Sequence, residues 1–353
     1  MWVATSGEIR EREAPWRLSR RPVMRTGWNN GEPIFENLSS GGFAEDGTVV
    51  VGDQLSAFVW RFDLDGEVIQ KVGGRGDGPG ELGAISVVLP DGDSIFVQTE
   101  DREISLFGPD GFVRRFRSPL RDASLHGVSR HGDLLFATWV PDRVVDRQRR
   151  WVEKALYRRP RMGGPPDTLH VYPSSLTWAG ARLYDPFAPF GQIAVIPGGF
   201  IEWRSDTPEL RWYDSEGNLK KIARWSHDPE PVTDADWEQF ASAYSGLSSP
   251  EVNPDPAAGR AHARELRPTA STERPVFGAS LLVDSEGNVW LPEFESFYTY
   301  PGRYFVISGN GEPIGWIELP ERFQPLGIAE GLVLGIERDE WDVQAVAVYE
   351  IRR

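Results

Sequence analysis

The chain has 353 residues and no cysteine, and its 53 acidic against 38 basic side chains give a formal net charge of −15. The lack of cysteine excludes disulfides, thiolate metal sites and a cysteine nucleophile, and scattered Lys and Arg in an acidic chain argue against nucleic acid as a partner. No apolar run approaches the roughly 20 residues of a membrane span, and residues 1–16 lack the apolar stretch of a signal peptide.

Turn dipeptides ending in glycine recur along the chain between apolar, β-branched runs. Each predicts a hairpin, because glycine takes the positive φ that two-residue turns require. The ten dipeptides are Asp46-Gly47, Asp65-Gly66, Asp91-Gly92, Asp110-Gly111, His131-Gly132, Gly198-Gly199, Glu216-Gly217, Glu286-Gly287, Asn310-Gly311 and Glu330-Gly331. Gly163-Gly164 adds an eleventh candidate turn.

The turns alternate between two contexts. One kind precedes an apolar run such as Thr48–Val51, which predicts a central strand buried on both faces. The other follows an alternating run such as FDLDGEVI from Phe62, which predicts a half-exposed outer hairpin.

Two hairpins make one four-stranded unit, and six such units follow one another along the chain. Three of the five distances between the starts of successive units, about 42, 43 and 47 residues, match the length of propeller blades. The two longer distances contain insertions. The units start near Phe43, Ile85, Val128, Ile193, Leu281 and Ile328. The sequence therefore predicts an all-β fold, a six-bladed β-propeller.

The last unit has only three strands after Gln324, so the segment Trp16–Met24 is the natural fourth. Pairing the two chain ends in this way closes the ring and removes exposed strand edges. We expect residues 1–353 to form a single propeller domain, with residues 1–30 contributing the closing outer strand. Residues 227–275 then form a helical and loop insertion between blades 4 and 5.

The insertion contains one clear helical pattern. Thr233 is a candidate N-cap, and apolar side chains follow at helical spacing. These side chains are Trp237, Phe240, Ala241 and Tyr244. A weaker pattern covers Ala257–Leu266. The stripe around Trp237 either packs on the propeller, which we favour, or forms a lid over the channel mouth.

Two further segments carry a family resemblance. GGRGDGPGEL from Gly73 and LGIERDEWDVQAVAVYEI from Leu334, together with the repeated turns, resemble bacterial six-bladed β-propeller proteins related to NHL-repeat propellers. The resemblance spans Trp16 to Arg353 and implies the fold. It implies little about chemistry, because such proteins mostly lack an established activity.

In a propeller, the turns between strands 1 and 2 and between strands 3 and 4 lie on one face, here named the turn face. The loops between strands 2 and 3 and the crossovers between blades lie on the other, here named the loop face. The dipeptide turns fall on the turn face, and the long connections fall on the loop face: residues 73–83, 140–149, 173–189, 227–275, 295–303 and 337–342. Because long loops cost ordering entropy and are uncommon without a role, we expect function on the loop face.

Most motifs in the chain have structural explanations. Gly78-x-Gly80-x-x-Gly83 matches a dinucleotide fingerprint, but Pro79 interrupts it and no amphipathic helix follows, so we expect a tight crossover. The five histidines have no metal-ligand spacing, and no G-x-S-x-G elbow is present. His126 and Gln192 stand at the starts of innermost strands, where their side chains could reach the central channel.

Carboxylates recur after the second strand of the blades, at Asp53, Asp101, Asp206, Glu295 and Asp339. We expect them to accept backbone N–H bonds in turns, while a calcium site in the channel is the alternative. The aromatic residues Tyr298 and Tyr300 lie beside Glu295 and offer a platform for a ligand or peptide.

We therefore expect a non-catalytic propeller that binds a protein or small-molecule ligand over its loop-rich, acidic face, using His126, Gln192, Trp237, Glu295, Tyr298 and Tyr300. It is expected to be a monomer with no resident cofactor and to act in or beyond a bacterial envelope, which requires that a leader was removed or never recorded. The alternatives are a Ca²⁺-dependent hydrolase working in the channel and a structural domain of a larger envelope assembly.

Overall fold

Six antiparallel sheets follow one another along the chain as blades 1 to 6 around a common centre. The structure is a computed structural model, and it describes residues 3–4, 14–27, 33–140, 149–160, 164–178, 185–225, 230–247, 256–268, 270–275, 277–279, 281–294 and 301–353. The N-terminal strands are β1 Val3–Ala4, β2 Arg17–Leu18 and β3 Met24–Gly27.

Each of blades 1 to 5 is a four-stranded meander whose first strand is innermost. Blade 1 contains β4 Leu38–Phe43, β5 Val49–Asp53, β6 Phe58–Phe62 and β7 Val68–Gly73; blade 2 contains β8 Ile85–Asp91, β9 Ser94–Thr99, β10 Glu103–Gly108 and β11 Gly111–Arg117; blade 3 contains β12 Ser124–Val128, β13 Leu134–Trp139, β14 Arg149–Arg159 and β15 Asp167–Trp178.

The second half of the chain continues the pattern and adds the insertion. Blade 4 contains β16 Gly191–Ile196, β17 Gly199–Arg204, β18 Glu209–Asp214 and β19 Leu219–Trp225; the insertion contains β20 Glu230–Pro231, α1 Asp234–Leu247, α2 Pro256–Leu266 and β21 Glu273–Arg274; blade 5 contains β22 Leu282–Val283, β23 Val289–Pro292, β24 Arg303–Ile307 and β25 Pro313–Glu318; blade 6 contains β26 Phe323–Ala329, β27 Leu332–Arg338 and β28 Gln344–Arg352.

The ring is closed by the N-terminal segment, as the sequence predicts. Each innermost strand lies beside the innermost strand of the next blade, and β26 of blade 6 lies beside β4 of blade 1. On the outside of blade 6, β2 and β3 both pair antiparallel with β28. The closing strand is thus split in two, and its longer part extends past Met24 to Gly27. Val3–Ala4 pairs instead with β19, on the outer edge of blade 4.

All ten dipeptide turns lie on the turn face. Their glycines have φ between +57° and +152°, which is the left-handed region that side chains other than glycine rarely adopt. Gly163 lies outside the described residues, and the described strand ends on either side of it pair through Arg158 and Asp167.

The core consists of apolar layers between successive blades. One layer joins blades 4 and 5 through Trp203, Phe277 and Phe305, and another joins blades 6 and 1 through Met24, Phe62 and neighbouring residues. The inner strands pack so closely that a Cβ built on Gly127 of blade 3 would lie 2.7 Å from the Val195 side chain of blade 4. Such close packing fixes each blade relative to the next.

The insertion between blades 4 and 5 is helical, as predicted. Thr233 Oγ1 accepts from the Asp236 N–H at 3.3 Å, and the Asp236 carboxylate accepts from the Thr233 N–H at 2.7 Å, which together form a capping box. Trp237, Phe240 and Ala241 are buried in one cluster with Phe187 and Phe294, on connections of the loop face. The described part of the stripe therefore packs on the propeller, which is the favoured expectation.

One connection is shorter than expected. Residues 173–178 belong to β15 instead of a loop, because the strand continues through Pro173 to pair Trp178 with Arg149. The register shifts beside Pro173, so this proline lies next to a bulge, where its missing N–H is tolerated. In the described part of the chain, neither helix is long and apolar enough to cross a membrane.

Candidate functional site on the loop face

The loop face carries four exposed apolar side chains where blade 6 meets blade 1. Ile34 and Trp341 are 80% and 79% exposed, and Leu55 and Val343 are 47% and 45% exposed. We name these four residues the 6–1 patch. Large apolar side chains exposed together on neighbouring loops are typical of interaction surfaces.

The patch draws on three chain segments that hydrogen bonds tie together. Ile34 precedes β4, Leu55 lies in the β5–β6 loop, and Trp341 and Val343 lie in the β27–β28 loop. Asn37 Nδ2 donates to Gln54 Oε1 at 2.7 Å, which joins the first segment to the second. The N–H of Leu38 donates to Gln344 Oε1 at 2.6 Å, which joins it to the third.

Asp53 holds the blade 1 side of the patch. Its side chain is fully buried, and the carboxylate accepts backbone N–H bonds from Glu36 at 2.7 Å, Asn37 at 3.0 Å, Leu55 at 3.2 Å and Ser56 at 3.4 Å. The backbones that carry Ile34 and Leu55 are thereby anchored to one carboxylate. The expectation that this recurring acid stabilises turns is confirmed here.

Asp339 holds the blade 6 side of the patch in a similar way. Its carboxylate accepts from the N–H groups of Trp341 and Val343, both at 2.8 Å. The intervening Asp342 has a φ of +64°, a left-handed conformation that Asp tolerates better than most residues. The backbone under Trp341 is therefore fixed before any partner arrives.

Acidic side chains border the patch. Glu36, Glu340 and Asp342 are exposed, and Asp342 faces the nearly buried guanidinium of Arg338 at 3.5 Å. Two exposed arginines also lie at the patch, because Arg75 donates to the Leu55 carbonyl and Arg322 to the Asp339 carbonyl, both at 2.6 Å. The border therefore carries both signs, and its carboxylates favour a partner with basic as well as apolar groups.

The structure places the two predicted channel residues on innermost strands, in different blades. His126 stands at a bulge in β12, where burial of the ring and the charge of Lys154 lower the pKa of His126 to about 4. The imidazole is therefore neutral at pH 7. Gln192 Oε1 accepts from the N–H of Leu281 at 3.0 Å, so it joins blade 4 to blade 5.

The other four predicted site residues divide into two groups. Trp237 is 6% exposed, and its ring stands edge-on to Phe187 at a centroid distance of 5.0 Å, so it packs within the insertion. Its role as a site residue stays a prediction. Glu295, Tyr298 and Tyr300 lie outside the described residues.

The recurring carboxylates do not converge in the described structure. Asp206 forms an ion pair with Arg204 at 2.7 Å. Asp53 and Asp339 accept hydrogen bonds from backbone N–H groups, as described above. Among the residues that the structure describes, no group of three His, Asp or Glu side chains is placed to hold a metal ion.

A buried ionisable cluster lies between blades 3 and 4. His170 Nε2 is 3.0 Å and the Tyr213 hydroxyl 2.9 Å from Glu202 Oε2. Burial raises the pKa of Glu202, but the hydrogen bonds from His170 and Tyr213 and the charges of His170 and Arg211 outweigh it and leave the pKa lowered. Burial and the bond to Glu202 raise the pKa of Tyr213 to about 12. The three side chains lie on β15, β17 and β18, away from the innermost strands, so the cluster joins two blades.

Sequence reasoning missed the 6–1 patch. One signal was present: Trp341 interrupts an acidic run in a loop, where neither a strand nor a helix pattern requires a large apolar residue. Ile34 and Leu55 gave no comparable signal, because their exposure depends on how blade 6 meets blade 1.

Comparison with solved structures supports the fold. A protein of Bacteroides fragilis NCTC 9343, described as exported, matches with a TM-score of 0.58 and 10% identity over 96% of both chains. Virginiamycin B lyase from Staphylococcus aureus matches with a TM-score of 0.47 and 10% identity over 95% of this chain and 99% of its own. A gluconolactonase of Xanthomonas campestris matches with a TM-score of 0.44 and 12% identity over 99% and 94%.

No protein-family model and no curated protein sequence matches the chain. The expected resemblance to bacterial six-bladed propellers is thus confirmed at the level of fold, by the ring itself and by the match to the Bacteroides fragilis protein. The chain is a six-bladed β-propeller closed by its N-terminal segment.

Proposed function

We propose that the chain is a non-catalytic, protein-binding β-propeller that holds its partner on the loop face, centred on the 6–1 patch. The observation that carries this proposal is the exposure of Trp341 and Ile34 on adjoining loops. Covering a tryptophan removes roughly 200 Å² from water, about 5 kcal/mol before ordering costs. Aromatic anchors of this kind dominate binding energy at protein interfaces.

The support beneath the patch strengthens the proposal. Asp339 and Asp53 hold the backbones that carry the patch through six N–H bonds. A loop that is already ordered loses less conformational entropy on binding. The patch is therefore built to bind with little rearrangement.

The charged residues around the patch indicate which charges a partner should carry. Glu36 and Glu340 are exposed beside the patch, whereas the exposed Arg75 and Arg322 already donate to loop carbonyls. A segment with Lys or Arg beside apolar residues is complementary to the acidic part of this border. Such charges mainly speed association and select against acidic partners. The net charge of −15 acts in the same direction over a longer range.

We also propose that this binding takes place in or beyond a cell envelope. The chain has no cysteine that an oxidising compartment could cross-link. Its fold matches that of a Bacteroides fragilis protein described as exported. Expression with and without an export leader, followed by cell fractionation, tests this part separately.

The binding proposal is tested with a displayed library of random peptides. Peptides selected on the intact protein are expected to carry Lys or Arg next to aromatic or aliphatic residues. Their affinity, measured by fluorescence polarisation, is expected to fall at least about 30-fold in Trp341→Ala, the loss of roughly 2 kcal/mol typical of an interface anchor. Ile34→Ser is expected to weaken binding in the same direction.

The matched control is Leu64→Ser. Leu64 is 40% exposed but lies in the β6–β7 connection of the turn face, so this change is expected to leave the affinity within twofold. Selected peptides that bind Trp341→Ala and Ile34→Ser as well as the unaltered protein would refute the proposal.

A further inference from the structure

A cleft of about 390 Å³ opens between blades 2 and 3 on the turn face, which is the opposite face from the 6–1 patch. It is formed by the strands β9, β10 and β11 of blade 2 and by the ends of β13 and β14 of blade 3. Its volume is within the range of sites for small organic ligands.

The rim of the cleft is cationic. Arg114 and Arg159 come from different blades, yet their guanidinium carbons lie 5.4 Å and 4.9 Å from the centroid of the same ring, Phe116. Both distances allow a cation–π contact. Within the described residues, neither guanidinium has an ion pair or a hydrogen bond to the protein, so their N–H donors remain available to a ligand.

The floor of the cleft is apolar. Phe96 and Leu134 are buried there, and Leu106 and Phe116 are partly buried beside them. A ligand that reaches both regions must therefore combine an apolar body with an anionic head group.

Two other charged residues line the cleft. Arg115 is already engaged, because it donates to the carbonyl of Gly78 at 3.2 Å and faces Glu103 at 3.5 Å. Asp91 lies at the edge of the cleft and reduces the positive charge without cancelling the two open arginines. The cleft is thus a local basic site on a strongly acidic protein.

We propose that this cleft binds a small organic carboxylate with an apolar body. The guanidinium groups of Arg114 and Arg159 hold the carboxylate, since the planar fork of arginine matches its two oxygens. Phe116 contacts both cations, and Phe96, Leu106 and Leu134 cover the apolar part. This site is independent of the loop-face function proposed above.

The proposal is tested by calorimetric titration with two matched probes, 4-phenylbutyrate and 4-phenylbutanol. They share the apolar body, and only the first carries a carboxylate. We expect 4-phenylbutyrate to bind at one site per chain and at least about tenfold more tightly than the alcohol. Equal affinity for the two probes, or no heat with millimolar 4-phenylbutyrate, would overturn the proposal.

The variants locate the site. Arg114→Ala and Arg159→Ala are each expected to weaken 4-phenylbutyrate binding about tenfold while the alcohol is unaffected. Arg117→Ala is the control: Arg117 lies on the same strand, is 80% exposed at its side chain and does not line the cleft. If Arg117→Ala weakens binding as much as Arg114→Ala, the effect is one of net charge and the assignment to this cleft is wrong.

Discussion

Replacement of Asp53 tests how the 6–1 patch is built. The buried carboxylate accepts four backbone N–H bonds, three at Oδ1 and the shortest, from Glu36, at Oδ2. Asp53→Ala leaves all four donors without their acceptor. Hydrogen bonds to a charged group are worth about 1.5–3 kcal/mol each, with losses that do not add fully. We expect Asp53→Ala to lower the free energy of unfolding by about 3–4 kcal/mol.

Asp53→Asn provides an internal comparison. An amide oxygen at the Oδ1 position keeps three of the four bonds, but the amide NH₂ then opposes the N–H of Glu36. We expect a loss of about 1–2 kcal/mol, clearly smaller than that of the alanine variant. Both values are measured by urea denaturation, followed by tryptophan fluorescence and by circular dichroism to check that the transitions coincide.

The control is Asp206→Ala in blade 4. Asp206 also follows the second strand of its blade, but its ion pair with Arg204 is partly exposed, so a change within about 1 kcal/mol is expected. The reasoning about Asp53 is refuted if Asp53→Ala costs no more than Asp206→Ala, or if the asparagine and alanine variants are equally destabilised.

Three further predictions concern blade contacts. Met24→Ala in the closing strand removes a side chain that is 3% exposed and should lower the free energy of unfolding by about 2–4 kcal/mol in urea denaturation. Val23→Ala, at a 50% exposed position, should lower it by less than about 0.5 kcal/mol. Equal losses in the two variants would contradict the closure of the ring by this strand. Gly127→Ala forces a Cβ against Val195 and should lower stability by about 1–3 kcal/mol, with partial recovery in the double variant Gly127→Ala/Val195→Ala; no recovery would argue against that contact. Glu202→Gln should lower stability at pH 7 by about 1–3 kcal/mol. The pKa of folded Glu202 is below its ordinary value of 4.5. The stabilisation is therefore present above pH 4.5 and is lost as pH falls through the folded pKa. If the difference in unfolding free energy between the unaltered protein and Glu202→Gln grows toward acid pH, the cluster does not stabilise the fold in this way.

The fold was largely predictable because its signals are local. Each dipeptide turn marks the point at which the chain reverses direction between two strands. A glycine such as Gly47 or Gly217 has the positive φ that the turn requires. The number of turns then predicts the number of blades. The last blade lacks one strand, which predicts that the N-terminal segment supplies it and closes the ring. The division of the closing strand into β2 and β3 has no local signal, since it depends on the pairing with β28.

The candidate sites were less predictable because they combine residues that are distant in sequence. The segments that carry Ile34 and Trp341 are joined only when the ring closes, and Arg114 and Arg159 share Phe116 only when blades 2 and 3 pack. Trp237 was predicted both as part of a helix stripe and as a site residue. The helix and the burial of Trp237, Phe240 and Ala241 on it are confirmed, and the role of Trp237 as a site residue stays a prediction.

The central claim is that the loop face, at the junction of blades 6 and 1, is the binding surface. Hydrogen–deuterium exchange of the protein with and without a selected peptide tests it most directly, because the readout covers both faces in one experiment. We expect slower exchange at residues 33–38, 53–58 and 338–344, and unchanged exchange in the turns of the opposite face. Protection confined to the turn face or to the innermost strands would contradict it.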